Sequence, residues 1–180
     1  MIFSETPIAG AVQIDIKRIE DHRGFFGRAW CQQEFIEHGL NPALAQCNIG
    51  YNLRAGTVRG MHFQLAPHQE AKLVRCTMGA ASDVVLDLRP GSPSFRKWHA
   101  VELTAENRRM LYIPEGCAHG YQTLVDGTEV FYQTTALYAP AAAKGVRHDD
   151  PAFGITWPLA VQVISDADRS WPDFVWEGRP

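Results

Sequence analysis

Apolar and polar residues alternate over short stretches of this chain and rarely recur at helical spacing. Val12-Gln13-Ile14-Asp15-Ile16 has the period of two expected of a half-buried strand. Stretches 25–30, 72–76, 83–88, 98–103, 110–113, 121–125 and 130–135 follow, each rich in β-branched or aromatic residues. Turn chemistry separates them: Pro90-Gly91 with Ser92-Pro93, Pro114-Glu115-Gly116, and Asp126-Gly127. The last lies between two apolar runs and predicts a hairpin, because Asp and Gly tolerate the positive φ of tight turns. Strands recurring about every ten residues predict a sandwich or barrel, not βαβ units. Helical signal is confined to residues 31–38, with Gly39 suited to the C′ position, and to a turn or two at 150–153 and 165–169. No internal repeat or low-complexity linker divides the chain, so one all-β domain over residues 1–180 is expected.

The composition fits that picture. A chain of 180 residues buries roughly 70% of its unfolded surface and needs no disulfide or metal staple. Hydrophobic residues make up 46% and charged residues 21%, the proportions of an ordinary globular protein. The net charge of −3 offers no electrostatic footprint for nucleic acid or an anionic membrane. No apolar stretch is long enough for a transmembrane helix. The first ten residues lack the basic start and apolar run of a signal peptide, so a cytoplasmic protein is expected. Cys31, Cys47, Cys76 and Cys117 show no CxxC spacing, which argues for reduced thiols over a zinc ribbon or a redox pair. The 15 Gly and 11 Pro are scattered, as in a chain of many turns.

Three groups of residues could carry chemistry. The first is Arg59-Gly60-Met61-His62-Phe63-Gln64, followed by His68, Glu70, Lys72 and Arg75. Extended backbone here predicts Arg59, Met61 and Phe63 on one face, with His62 and Gln64 on the other. An inward His62 would be either a base or a satisfied core histidine. The second group, Pro114-Glu115-Gly116-Cys117-Ala118-His119-Gly120, has the Pro-x-Gly-x-x-His spacing of one half of the cupin metal signature. The other half, a His-x-His pair, is missing, since Phe63 and Gln64 follow His62. His62, His68, Glu70 and His119 could in principle supply three ligands. The spacing nevertheless points to the barrel without the metal. The third group places Tyr132 opposite Phe131 in an alternating run, as either a general acid or a half-buried aromatic. The segment Ser165-Asp166-Ala167-Asp168-Arg169 could be a capped turn or could return a carboxylate to an imidazole. Arginines 23, 54, 59 and 75 suit phosphate oxygens, but no Gly-rich phosphate loop accompanies them.

Taken in order, these segments resemble the dTDP-4-dehydrorhamnose 3,5-epimerase family. The similarity is carried by Asp21-x-Arg23-Gly24-Phe25-Phe26, Arg59 to Gln64, Lys72-Leu73-Val74-Arg75, Asp83 to Arg89, Leu103 to Asn107, Pro114 to Gly120, and Asp149-Asp150-Pro151. It runs from about residue 12 to 168. The resemblance implies a cofactor-independent, metal-free, cupin-like jelly roll, usually a homodimer. Its substrate would be a nucleotide-diphospho-sugar of the 4-keto-6-deoxy type, inverted at C3 and C5 in rhamnose-like deoxysugar or surface-polysaccharide biosynthesis. By motif, His62 would be the base, Asp168 its partner, Lys72 the cation beside the C4 oxygen, and Tyr132 the acid on the opposite face. Arg23 and Arg59 would grip the diphosphate, while Gln46, Asn48, His119 and Tyr138 would line the substrate pocket.

The chain departs from the family pattern at four places: Arg28 where an acid is common, Cys47 for Asp, Ala143 for Glu, and Ala167 for Lys. These positions are expected around the substrate, Arg28 included, so a different nucleotide sugar is expected with the same chemistry. The competing expectations are a non-catalytic sugar-nucleotide binding protein, a 3,4-ketoisomerase, and a metal-dependent cupin enzyme.

Overall fold

The computed structural model describes residues 1–175 and is an antiparallel β-sandwich. In chain order the strands are β1 (Ile2–Glu5), β2 (Val12–Asp15), β3 (Ile19–Asp21), β4 (Gly24–Phe26), β5 (Gln46–Asn52), β6 (Val58–Gln64) and β7 (Lys72–Met78). They continue with β8 (Ala80–Asp87), β9 (Trp98–Thr104), β10 (Met110–Ile113), β11 (Cys117–Thr123), β12 (Thr128–Thr134) and β13 (Ala143–Gly145). Helix α1 (Gln32–Glu37) lies before β5, and α2 (Asp166–Arg169) follows β13. One sheet has the order β1-β2-β10-β7-β12-β5, and the other has the order β13-β6-β11-β8-β9. β3 and β4 pair only with each other, as an exposed hairpin.

Seven of the eight predicted strands overlap sheet strands, and α1 forms within the expected stretch, followed by Gly39 at φ +68°. The eighth, 25–30, is a strand only as far as Phe26. The hairpin expected at Asp126-Gly127 is absent. β11 and β12 lie in opposite sheets, so this turn is a corner that carries the chain across the sandwich, with Gly127 at φ +67°. Residues 124–127 contribute no cross-strand pair, and each flanking strand finds its partners in its own sheet. β5 is a strand that the apolar pattern does not announce. Gln46, Asn48, Gly50 and Asn52 occupy its more sheltered positions, while Cys47, Ile49 and Tyr51 are exposed.

The inner faces of the two sheets meet in a core that includes Val74, Cys76, Val85, Leu103, Leu111, Ile113, Tyr121 and Val130. Full burial of each aliphatic side chain contributes roughly 1.5–3 kcal/mol. Outside the six-stranded sheet, Phe35 and Leu40 pack on Ile14, Leu73, Met110 and Tyr112. Outside the other sheet, Val146, Phe153 and neighbouring residues cover Met61, Val84, Leu86 and Ala118. All four cysteines are free. Burial pushes the thiols of Cys76 and Cys117 up to about 11 and about 12, which keeps both unreactive. Among the described residues no helix is long and apolar enough to cross a membrane.

Candidate active site

β6 and β11 pair with His62 and His119 directly in register, but the register shifts between His119 and Tyr121. Gly60 sits at this shift with φ +124°. A Cβ there would lie 2.5 Å from Gly120 Cα and 2.8 Å from the His119 carbonyl oxygen, so glycine is needed. The shift also takes Arg59 off its expected face, while His62 and Gln64 share one side and Met61 and Phe63 the other, as expected. Arg59 and His62 line the same cavity, whereas Met61 packs into the outer core. Arg59 is held by Asn52 Oδ1, which accepts from its Nε at 2.7 Å.

The carboxylate partner of His62 comes from far along the chain. The segment before α2 is laced to the start of β6: Val58 N donates to the Val163 carbonyl at 2.8 Å, and Gln162 N donates to the Gly56 carbonyl at 2.9 Å. Ser165 caps α2 by accepting from Asp168 N at 3.1 Å. This places Asp168 Oδ1 2.6 Å from His62 Nε2, while Asp168 Oδ2 accepts from Gly60 N at 3.2 Å. Burial pushes the Asp168 carboxyl up, but the hydrogen bond and charge of His62 and the Gly60 N–H outweigh it, and the net shift is downward. An ionised Asp168 accepting from Nε2–H leaves the lone pair on the other ring nitrogen.

Lys72 and Tyr132 come from the opposite sheet, on β7 and β12. Lys72 is almost fully buried, with Nζ 3.2 Å from Glu70 Oε1. The Tyr132 hydroxyl is pushed up by burial and by the charge of Glu70, against the pull of Arg59. A cavity of about 550 Å³ is lined by Arg59, His62, Lys72, His119, Tyr121, Tyr132 and Asp168, among others. A second, of about 740 Å³, contains Gln46, Asn48, Phe63, Tyr138, Ala143, Ala167 and Trp171. His62, Lys72, Tyr132 and Asp168 line both, so the four groups stand where the two spaces meet.

The remaining candidates divide clearly. Gln46, Asn48, Arg59, His119 and Tyr138 line one cavity or the other. Arg23 and Arg28 line neither: Arg23 pairs with Asp21 on the exposed hairpin, and Arg28 with Glu34. Arg54 pairs with Asp126 on the surface, and Arg75 stacks over Phe131. Of the four departures, Ala143 and Ala167 line the larger cavity, whereas Cys47 is exposed beside Gln133. Three of the four possible metal donors are engaged separately, His62 with Asp168, His119 with Asp83, and Glu70 with Lys72, and His68 lines neither cavity. No group of three or more His, Cys, Asp or Glu suited to a metal ion occurs among the described residues.

Sequence reasoning missed Asp83, whose Oδ1 lies 2.8 Å from His119 Nε2. The signal was a carboxylate in the middle of a strand that is otherwise buried almost throughout. It also missed Tyr121, whose hydroxyl accepts from Asn52 at 3.3 Å on the wall of the smaller cavity.

A cupin-like sandwich with an imidazole–carboxylate pair across from an ammonium and a phenol has the groups that an isomerase of the epimerase class needs. The sequence profile of the dTDP-4-dehydrorhamnose 3,5-epimerase family matches residues 5–175. The dTDP-4-dehydrorhamnose 3,5-epimerase of Sinorhizobium fredii is 41% identical over 173 residues, covering 96% of this chain and 89% of the relative. The crystal structure of the Bacillus anthracis enzyme of that name, with TDP and PPi bound, superposes with a TM-score of 0.92 at 36% identity, covering 96% of this chain and 99% of that one. ChmJ, a 3'-monoepimerase from Streptomyces bikiniensis in complex with dTDP-quinovose, gives a TM-score of 0.85 at 33% identity, covering 93% and 85%. The chain belongs to the dTDP-4-dehydrorhamnose 3,5-epimerase family.

Proposed function

We propose that this chain inverts C3, C5 or both of a nucleotide-diphosphate-linked 4-keto-6-deoxy sugar without a cofactor, acting in the cytoplasm. His62 removes the proton from the carbon next to the C4 ketone, and the electron pair of that C–H bond moves into an enolate. The oxyanion at C4 is stabilised by the Lys72 ammonium, more strongly for being buried. Tyr132 then donates its proton to the same carbon from the opposite face, and inversion results. The observation that carries this reading is the opposition of His62 on one sheet to Lys72 and Tyr132 on the other, at the junction of two cavities.

Arg59 is suited to the diphosphate, and Gln46, Asn48 and Tyr138 to the nucleoside end. Ala143 and Ala167 stand in the wall of the larger cavity where relatives commonly carry charged residues, so the nucleotide sugar taken here is proposed to be other than a dTDP-linked one. The exposed β3–β4 hairpin, with Phe26 outward and Arg23 beside its turn, is suited to reach the site of a second copy in a homodimer. Arg28 would join Arg23 there at the substrate.

The test is incubation in D2O with dTDP-, GDP- and CDP-linked 4-keto-6-deoxy sugars, followed by NMR. Deuterium is expected at C3, C5 or both of at least one of them. No incorporation into any of the three overturns the epimerase reading, and a product with the ketone moved to C3 replaces it with a ketoisomerase.

A further inference from the structure

Lys72 reaches the cavity junction with a buried companion. Glu70 lies two residues earlier, in the connection between β6 and β7, and the two side chains are equally sheltered, each 10% exposed. Besides its contact with Lys72, the carboxylate accepts from Gln64 Nε2 through Oε2 at 3.2 Å. Gln64 is itself pinned. Its Nε2 also donates to the carbonyls of His68 at 2.9 Å and Leu137 at 3.2 Å, and its Oε1 accepts from Ala139 N at 2.6 Å. Next along, Ala71 N donates to Thr135 Oγ1 at 2.8 Å. Glu70 is therefore a fixed, buried acid, unlike an exposed ion pair whose members drift apart at little cost.

We propose that Glu70 is a positioning residue of the reaction, holding the Lys72 ammonium at the junction of the two cavities beside the Tyr132 hydroxyl. The inference rests on the roles given above to Lys72 and Tyr132. An ammonium has three N–H donors; with one committed to Glu70, two remain for the C4 oxygen. The flexible four-carbon arm is thereby ordered before substrate arrives, and this saves entropy at the transition state. Glu70 has a second effect through its charge. Around Tyr132, Arg59 and Lys72 supply positive charge, while Glu70 and Asp168 supply negative charge; His62, His119 and Tyr121 in the smaller cavity and Tyr138 and Lys144 in the larger one are the other titratable groups. Of the charged groups acting on Tyr132, Glu70 is the one that opposes loss of its proton.

The two effects separate in two variants. Glu70→Ala should lower kcat roughly ten- to a hundredfold with KM within about threefold of wild type. Glu70→Gln keeps an acceptor for Lys72 but removes the charge, and should recover most of kcat at neutral pH. In that variant the Tyr132 phenolate should appear at lower pH than in wild type. It is read as near-ultraviolet phenolate absorbance, by subtracting the titration of the same protein carrying Tyr132→Phe. Wild-type kcat in Glu70→Ala overturns the proposal. So does an equal loss in both variants with the Tyr132 titration unmoved, the result of a merely structural role. If Glu70→Ala does not fold, the Glu70→Gln titration decides: a downward shift supports the proposal, and an unmoved curve overturns it. Absence of deuterium exchange by the wild type with every sugar nucleotide would instead strike the proposed function. The phenolate titration reads Glu70 independently of turnover.

Discussion

His62 and His119 face each other across neighbouring strands, and each meets an aspartate through Nε2. Their surroundings differ. The His62 side chain is 46% exposed and lines both cavities, while the His119 side chain is 8% exposed and lines only the smaller one. Asp168 has both oxygens bonded, to His62 and to the Gly60 N–H. Asp83 is fully buried, and its Oδ2 has no hydrogen-bond partner among the described residues. The two pairs thus differ in access: His62 opens onto both cavities, as the base of the proposed reaction must. Pairing alone makes His119 a fixed wall.

The largest expected break in this comparison is His62→Ala, which should cut deuterium exchange roughly 10²–10⁴-fold while nucleotide affinity stays within a few fold. Asp83→Asn should act mainly on stability. It disturbs a buried pair, and a loss of about 1–3 kcal/mol is expected in denaturant unfolding, with exchange far less affected than in His62→Ala. If Asp83→Asn instead slows exchange as much as His62→Ala, the two pairs are not functionally distinct. The smallest effect concerns pH. The Asp168 carboxyl lies below its ordinary value in the folded chain, so it adds stability above about pH 4, and this is lost as pH falls through the folded value. The gap in thermal midpoint between wild type and Asp168→Asn should be widest near neutrality and close on acidification. A gap that stays constant with pH would mean that Asp168 is not held ionised by His62.

Much of this was legible in the chain, for identifiable reasons. Strands such as β8 and β10 bury both faces or one full stripe, and their apolar runs say so. β5 stayed hidden because its sheltered side is polar where it borders the cavities and its apolar side is exposed, the reverse of the usual arrangement. The side to which Arg59 points was misjudged because a register shift at Gly60 resets the alternation, and strand period cannot reveal a shift. The Asp126-Gly127 turn was recognised as a turn, yet turn chemistry does not say whether the next strand stays in the same sheet. Asp83, Tyr121 and Glu70 act through neighbours in space, which spacing along the chain does not encode.

His62 and Asp168 are 106 positions apart in the chain. During synthesis the ribosome releases His62 and both sheets' principal strands well before residues 165–169. A nascent chain can thus lay down most of the sandwich while its imidazole still lacks the carboxylate. Hydrogen bonds between residues 162–163 and residues 56–58 tie this late segment to the start of β6, beside the site. A chain cleaved before residue 165 would keep His62 but lose the carboxylate that meets it, so the proposed activity depends on residues 165–169 staying joined to the sandwich.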